Sequence, residues 1–211
     1  MKEYITKILA FEKKYKLTPV REMLVFMTIT LAVHYLYRFW SIHYGFRLFG
    51  IQIITPAVFD FFSDILFYPS QWVNKNIIGL QFITQGRDMF FYSDLSVETN
   101  KCIGWIGVNA GCSGLKQLIQ FSILIMLYPG PWKHKLWFIP MGLLAIYLTN
   151  IIRIVGLSVI VTTWSNQDYF RFSHDWIFRP LFYVVIFGLW VFWVDKIQKK
   201  DDIKRNKLSN N

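Results

Sequence analysis

The chain has little charge, few cysteines and none of the short motifs that hold nucleotides or metals. Charged residues make up 17% of its 211 residues, against roughly 25% in soluble domains. Hydrophobic residues make up 54% and lie in long blocks. This arrangement excludes a soluble enzyme, and a chain this apolar is not intrinsically disordered. Its two cysteines, Cys102 and Cys112, are too few for a disulfide scaffold.

The sequence also lacks the motifs of metal and cofactor sites, and it lacks repeats. The four histidines are scattered, without the short spacings of zinc or iron sites, and there is no P-loop and no dinucleotide-binding fingerprint. We therefore expect neither a metal nor a cofactor. The sequence has no internal repeat, and its only low-complexity segment is the charged, Asn- and Lys-rich C-terminal tail.

The net charge of +10 is distributed as the positive-inside rule predicts for cytoplasmic segments. Lys and Arg collect in residues 1–21, in a short loop near residue 130 and in residues 196–211. Because these segments flank apolar blocks, the charge indicates contact with membrane lipids and argues against nucleic-acid binding. We expect both basic ends to be cytoplasmic and the N-terminal region to be an uncleaved anchor rather than a signal peptide.

Four apolar blocks predict membrane-spanning helices, since a span needs about twenty mostly apolar residues. A fifth block, residues 51–73, contains Asp60 and Asp64 one helical turn apart. Carboxylates at the bilayer centre cost about 2.5–3.5 kcal/mol each, so we expect this block to be an amphipathic interfacial helix with both carboxylates solvated. The predicted spans are residues 22–40, 115–129, 136–164 and 176–194.

Residues 74–111 follow the interfacial segment and show short, alternating apolar runs typical of a hairpin or small sheet. By alternation of the spans they lie outside the cytoplasm. The predicted fold is therefore an all-α integral membrane helical bundle, with about four to six spans and a small extracytoplasmic β/loop cap.

A glycine-flanked cysteine, Cys112, lies where the strand-like stretch passes into a helix. Unpaired N–H groups at a helix N-terminus stabilise a thiolate, and Lys116, four residues on, adds positive charge on the same face. The small neighbours allow a substrate backbone to approach. A buried structural cysteine in a tight turn, or a disulfide with Cys102, is the alternative interpretation.

Two further polar groups are predicted on the outer side of the membrane. Arg153 lies within a long apolar block, where an ionisable residue is a functional hypothesis by default, and Asn150 shares its helical face. His174 belongs to a polar run that opens the last predicted span. A thiol, an imidazole and a cation are the groups that acyl transfer requires. A snorkelling arginine and an inert interfacial histidine are the alternatives.

The run NAGCSGLKQL, followed by NIIRI and by a histidine in the last span, resembles the exosortase/archaeosortase family of membrane-embedded cysteine transpeptidases. The resemblance covers roughly residues 75–195. It implies that Cys112 is the nucleophile, Arg153 the oxyanion stabiliser and His174 the acid/base. Residues 22–195 would then form one exosortase-like membrane domain.

The resemblance also implies an activity and a location. The family cleaves exported proteins at a C-terminal sorting tail and forms a thioester intermediate. The protein is then transferred to an acceptor, here unknown, and is anchored or released at the cell surface. We expect Asn150, Ser113 and Lys116 to bind substrate, with the site facing the periplasm from a bacterial inner membrane. Gly142, Ala145 and Gly156 would admit a substrate helix. The alternative is a non-enzymatic membrane subunit of an export or polysaccharide system, with Cys102 and Cys112 joined as a structural disulfide.

Overall fold

The computed structural model describes most of the chain between residues 18 and 198. The basic segments 1–17 and 199–211 lie outside the described residues, so the predictions made for them stay predictions. The chain divides into two units, Met1–His43 and Tyr44–Asn211. The described ranges are 18–42, 47–48, 51–52, 56–93, 102–109, 111–164 and 167–198.

The first unit contains one described helix, α1 (Thr18–Ile42), which begins four residues before the predicted span 22–40. Its segment Val20–Phe39 is long and apolar enough to cross a membrane. Within the helix, Thr28 donates its hydroxyl to the Leu24 carbonyl at 2.8 Å, so this polar side chain is satisfied without water.

The second unit begins with a short antiparallel pair, β1 (Arg47–Leu48) and β2 (Ile51–Gln52), followed by helix α2 (Pro56–Val73). The predicted helix 51–73 is therefore correct only from Pro56. Proline favours the first helical position because its φ is already helical and its missing N–H is not needed there. Ile51 instead pairs with Leu48 in the sheet register.

The predicted β cap is a three-stranded antiparallel sheet in the order β3–β4–β5. Its strands are β3 (Phe82–Gln85), β4 (Asp88–Tyr92) and β5 (Cys102–Gly107). A π-helical turn, Asn74–Ile78, connects α2 to the sheet and ends at Gly79. The inner face of β4 buries Met89 and Phe91 completely, as strand alternation predicts for a sheet with one covered face.

Two helices follow the sheet: α3 (Leu115–Leu127) and α4 (Trp132–Trp164). The 13 residues of α3 extend about 20 Å, less than the hydrocarbon thickness of about 30 Å. The crossing expected at residues 115–129 therefore stays a prediction. Helix α4 is long enough to span, and it begins four residues before the predicted 136–164.

The early start of α4 changes the prediction for the loop near residue 130. Lys135 lies in the first turn of the helix and is only 4% exposed. Its ammonium donates to the carbonyls of Met126 and Tyr128 at 2.9 and 2.6 Å. These carbonyls belong to the end of α3 and have no partner within that helix. Lys135 therefore closes the α3–α4 connection rather than contacting lipid headgroups.

The last helical segment runs from residue 167 to 198 and is also long enough to span. It comprises α5 (Gln167–Phe172), a π-helical turn (Ser173–Phe178), α6 (Arg179–Phe192) and a second π-helical turn (Trp193–Gln198). The helix begins nine residues before the predicted start of the span at residue 176, because no glycine or proline breaks the preceding polar stretch. Where the chain enters the membrane stays a prediction. The first π-helical turn, Ser173–Phe178, lies just before Pro180. The proline ring does not fit the regular hydrogen-bonding pattern of an α-helix.

Helix α4 is the central element of the second unit and contacts α2, α3, the sheet and α6. Gly142 faces the Phe121 ring of α3, and Gly156 faces the Phe178 ring. These two glycines therefore allow close packing within the chain, and the expectation that a substrate helix docks at Gly142, Ala145 and Gly156 stays a prediction. The elements confirm the predicted class, a helical membrane protein with a small β cap.

A hydrogen bond explains how a proline is tolerated inside α2. Pro69 has no N–H, so the carbonyl of Ile65, four residues earlier, loses its helical partner. The hydroxyl of Tyr147 on α4 donates to that carbonyl at 3.0 Å. The same bond ties α2 to α4 beside the groove described below.

Candidate functional site

Cys112 lies in the tight turn that joins β5 to α3, and the side chain of Asn109 organises this turn. Asn109 Oδ1 accepts hydrogen bonds from the main-chain N–H groups of Gly111 and Cys112, at 2.9 and 3.2 Å. The Asn109 carbonyl accepts a further bond from Cys112 N–H at 2.9 Å. Asparagine favours such turns because its side chain reaches its own backbone two residues on. Sequence reasoning gave Asn109 no role, although an asparagine two residues before a glycine is a recognisable turn signal.

The other side of the turn is held from α4. Asn150, only 2% exposed, donates from Nδ2 to the Cys112 carbonyl at 3.1 Å. Gly114 has a φ of 75°, a left-handed conformation that suits glycine, and a Cβ at this position would overlap Asn150 Nδ2. Asn150 therefore contacts the turn that carries Cys112 directly, and its role in substrate binding stays a prediction.

Arg153 completes the group around the cysteine. Its guanidinium lies near the Cys112 thiol and interacts with it by charge, its Nε is buried without a hydrogen-bond partner, and it lies over the face of the Phe182 ring at 5.6 Å. Arg153 is 5% exposed, in the interior of α4. A snorkelling arginine would extend to the headgroups, so the structure contradicts that alternative.

His174 lies in the π-helical turn, away from the position predicted for it at a helix start. Its Nδ1 is 2.7 Å from Asp175 Oδ1, and its ring stacks on Phe170 at 6.0 Å. Among the described residues, no hydrogen bond joins His174 to Cys112. Asp175 also pairs with Arg179 at 3.3 Å, and Arg179 interacts by charge with Arg153. Because Arg179 and Arg153 carry like charges, this interaction is repulsive, and the His174–Asp175 pair stays separate from the group around Cys112.

The two other predicted binding residues flank Cys112. Ser113 is buried, and its hydroxyl accepts a long hydrogen bond of 3.4 Å from Leu115 N–H, a local contact at the start of α3. Lys116 is half-buried in the first turn of the same helix. Ser113 therefore follows Cys112 directly, with its hydroxyl engaged by the start of α3, and Lys116 lies in the first turn of that helix.

An apolar groove of about 600 Å³ reaches this site between α2, α3 and α4. Its polar end is formed by Ser113, Gly114 and Asn150, and none of its lining residues is charged. The groove therefore offers an apolar path to the turn that carries Cys112. Its other lining residues are Phe62, Ile65, Leu115, Leu118, Ile119, Ser122, Ile123, Leu143, Leu144, Ile146 and Tyr147.

The carboxylates of α2 are ion-paired rather than simply solvated, which corrects the sequence-based expectation. Arg87, in the β3–β4 turn, contacts Asp64 at 2.6 Å and Asp60 at 2.7 Å. The hydrogen bond from Arg87 lowers the pKa of Asp64, and the two carboxylates raise the pKa of Arg87. This pairing attaches the cap to the helix that forms one wall of the groove.

The groups around Cys112 are of the kinds that acyl transfer uses. Cys112, Asn150 and Arg153 come together from the α3 start and the interior of α4, while His174 and Asp175 form a separate pair on the last helical segment. Within the described ranges, no group of three His, Cys, Asp or Glu side chains could hold a metal ion. Sequence reasoning also gave Asp175 no role, although its place beside His174 was visible.

The comparisons with known proteins agree with this chemistry. A family model described as transmembrane exosortase matches residues 75–191, more than half of the chain. No curated protein and no solved structure matches significantly. The match includes the cap, the nucleophile turn, α4 and His174. The chain therefore belongs to the transmembrane exosortase family, whose members are membrane proteins.

Proposed function

We propose that this protein is a membrane-embedded cysteine transpeptidase or peptidase that cleaves the C-terminal sorting tails of exported proteins and transfers or releases them at the cell surface. The observation that supports this most directly is the place of Cys112 in a turn held by Asn109 and Asn150, next to the buried Arg153 guanidinium. Cysteine is one of the nucleophiles of covalent catalysis. Family membership supports a membrane sorting role.

In the first step, Cys112 Sγ attacks the scissile carbonyl carbon of the tail, and the carbonyl oxygen becomes an oxyanion. Arg153 stabilises this charge, because a preorganised donor in a dry site costs no reorganisation during reaction. The Cys112 N–H is already engaged by Asn109, so the guanidinium is the donor with the chemistry for this task. The C–N bond then breaks and leaves a thioester on Cys112.

His174 accepts the thiol proton of Cys112 as Sγ attacks, and it gives this proton to the leaving amine. Asp175 at its Nδ1 orients the ring and stabilises the imidazolium, as the third group does in nucleophile–base–carboxylate sites. In the second step, the acceptor amine, or water, gives a proton to the imidazole as it attacks the thioester carbon. The C–S bond breaks, and the imidazolium returns the proton to the sulfur, which restores the free thiol. The two steps require His174 to approach Cys112 when substrate is bound.

The groove supports an apolar substrate segment beside the scissile bond. Ser113 and Asn150 close its inner end, and Lys116 in the following turn provides a positive charge for a polar part of the tail. We place the site on the periplasmic side of a bacterial inner membrane, since both basic ends are expected in the cytoplasm. The acceptor is a lipid or polysaccharide amine, or water.

The alternative, a non-enzymatic membrane subunit, was expected to use a Cys102–Cys112 disulfide. In the structure both thiols are free, and the Cys102 thiol contacts the carbonyl of Gly104 at 3.3 Å. Cys112 instead faces a buried cation. These contacts favour the enzyme over the subunit.

The test compares the C-terminal peptides of surface proteins in cells that carry the wild-type protein, Cys112→Ala or Cys102→Ala. We expect one or a few proteins to keep an intact apolar tail in the Cys112→Ala cells alone. Mass spectrometry of those peptides then identifies the cleavage site. Cys102→Ala is the matched control, because it removes the other thiol of the chain.

A clear result contradicts the proposal. If Cys112→Ala reaches the membrane at wild-type amounts and every tail is processed normally, Cys112 is not the nucleophile. The subunit interpretation would then explain the protein better.

A further inference from the structure

We propose that Asn109 and Asn150 are positioning residues that hold the peptide groups on both sides of Cys112 and thereby aim its thiol at Arg153. This inference deepens the proposed function and rests on it for its catalytic meaning. The contacts themselves do not depend on the identity of the substrate.

The two asparagines act on different peptide units. Asn109 binds the N–H of Cys112, which belongs to the peptide group before its Cα. Asn150 binds the carbonyl of Cys112, which belongs to the peptide group after it. Because each peptide group is planar, fixing both leaves φ and ψ of Cys112 no freedom. The direction of the Cα–Cβ bond is then set, and only χ1 remains to move Sγ.

The two contacts also differ in origin. The Asn109 bonds close a local turn, so they form wherever this short sequence folds. The Asn150 bond crosses 38 residues and comes from the helix that carries Arg153 one turn later. Asn150 therefore holds the turn against the part of α4 that also carries Arg153.

Gly114 shows how closely the turn and Asn150 fit. Its φ of 75° lets the chain enter α3 directly after the nucleophile, and its missing side chain leaves room for the Asn150 amide. A buried asparagine that serves only packing does not require a glycine against its amide nitrogen. The arrangement therefore supports a specific contact between Asn150 and the nucleophile turn.

The test measures the alkylation rates of both cysteines by iodoacetamide in the purified full-length protein at pH 7. Peptide mass spectrometry reports each cysteine separately, so Cys102 serves as an internal control. The variants are Asn109→Ala and Asn150→Ala, each alone and combined with Arg153→Gln. Asn76→Ala is the matched control for Asn109, since Asn76 makes a local hydrogen bond to the Trp72 carbonyl. Thr149→Val is the control for Asn150, since Thr149 is buried on α4 and donates its hydroxyl to the Ala145 carbonyl of the same helix.

We expect each asparagine variant to slow the alkylation of Cys112 at least about five-fold, because the sulfur loses its fixed position beside the Arg153 cation. Cys102 and both control variants should stay within about two-fold of the wild type, a range typical of distant surface effects. The effect of Arg153→Gln on Cys112 should be large in the wild-type background and largely absent when Asn150 is also replaced.

Three results would overturn the inference. The first is an unchanged alkylation rate of Cys112 in both asparagine variants. The second is a faster alkylation rate of Cys112, which would show that the asparagines only shield the thiol. The third is an equal change in the alkylation rate of Cys102, which would show a general loss of structure. None of them depends on tail cleavage. If tail processing proves independent of Cys112 but these rates behave as expected, the positioning role stands and the proposed function falls.

Discussion

Asn150 and Cys112 are joined by a hydrogen bond of 3.1 Å from the Asn150 side-chain amide to the Cys112 carbonyl. The bond connects the middle of the long helix α4 to the turn before α3. Arg153, one helical turn further, reaches the thiol of the same cysteine. One face of α4 therefore holds the nucleophile turn and supplies the cation beside it.

Gly114→Ala should impair both folding and the reaction. A side chain at φ 75° costs about 1–3 kcal/mol, and the new Cβ would also overlap the Asn150 amide. We expect a lower midpoint of thermal unfolding in detergent and reduced tail processing. The double variant Gly114→Ala/Asn150→Ala relieves only the overlap, so it should recover part of the midpoint and none of the processing. Full recovery of both would show that the left-handed backbone carries no strain.

Arg153→Lys and Arg153→Met should separate charge from geometry. Loss of an oxyanion donor costs about 10²–10³ in rate, so we expect Arg153→Met to abolish detectable processing. Arg153→Lys keeps the charge but loses the planar fork of donors, and it should retain a small part of the activity. The measurement is the fraction of uncleaved tail in pulse-labelled cells. Processing at the wild-type rate in the methionine variant would exclude Arg153 from the mechanism.

Asp175→Asn should resemble His174→Gln in its effect on processing. The Asp175 carboxylate binds His174 Nδ1, and without it the imidazole loses its orientation and the support of its charged form. We expect both variants to slow processing at least about ten-fold, the lower range for loss of a general acid or base. Asp195→Asn, on the final turn of the same helical segment, is the control. A normal rate in Asp175→Asn with a slow His174→Gln would limit the role of Asp175 to structure.

The ion pairs of Arg87 should make stability depend on pH in acid. Arg87 lowers the pKa of Asp64, so the pair stabilises the folded state above the ordinary carboxyl pKa of about 3.9. That stabilisation is lost as the pH falls below this value and Asp64 becomes protonated. We expect Arg87→Gln to lower the unfolding midpoint at pH 6 and to differ less from the wild type near pH 3. Lys75→Gln, which removes an exposed cation nearby, is the control, and an equal difference at both pH values would contradict the prediction.

Lys135→Met should destabilise the α3–α4 connection. Its ammonium is the partner of the Met126 and Tyr128 carbonyls, and a buried polar group left without a partner costs about 1–3 kcal/mol. Lys133→Met removes a charge from an exposed position in the same turn and should have little effect. The unfolding midpoints of the two variants in detergent compare them directly. Equal midpoints would show that water satisfies these carbonyls.

Much of the fold was predictable because hydrophobic block length and β alternation are local signals. The cap and the long helix α4 follow from them. The start of the last helical segment was not predictable in this way, because polar residues such as Asp168 and His174 resemble a loop until the rest of the helix is in place. The same holds for Ile51 and Gln52, whose strand pairing depends on a neighbouring segment.

The candidate site also has some features that were visible in the sequence and others that depend on contacts between distant segments. The glycine-flanked Cys112 and the arginine in an apolar block can be recognised in the sequence as candidate functional residues, because lipid does not favour such groups. The Asx turn of Asn109 was visible but carried no functional signal. The pairing of Asp60 and Asp64 with Arg87 was not visible, because it joins segments more than twenty residues apart.

The sequence by itself determined the class of this protein: an apolar chain with basic flanks, a small β cap and three kinds of reactive group in family order. These properties follow from residue type and spacing. The tertiary structure alone decided which groups meet, because α4 packs against the α3 start and brings Asn150 and Arg153 to Cys112. It also decided that His174 pairs with Asp175 and that Gly142 and Gly156 pack against aromatic rings, since such contacts depend on how distant helices fill space together.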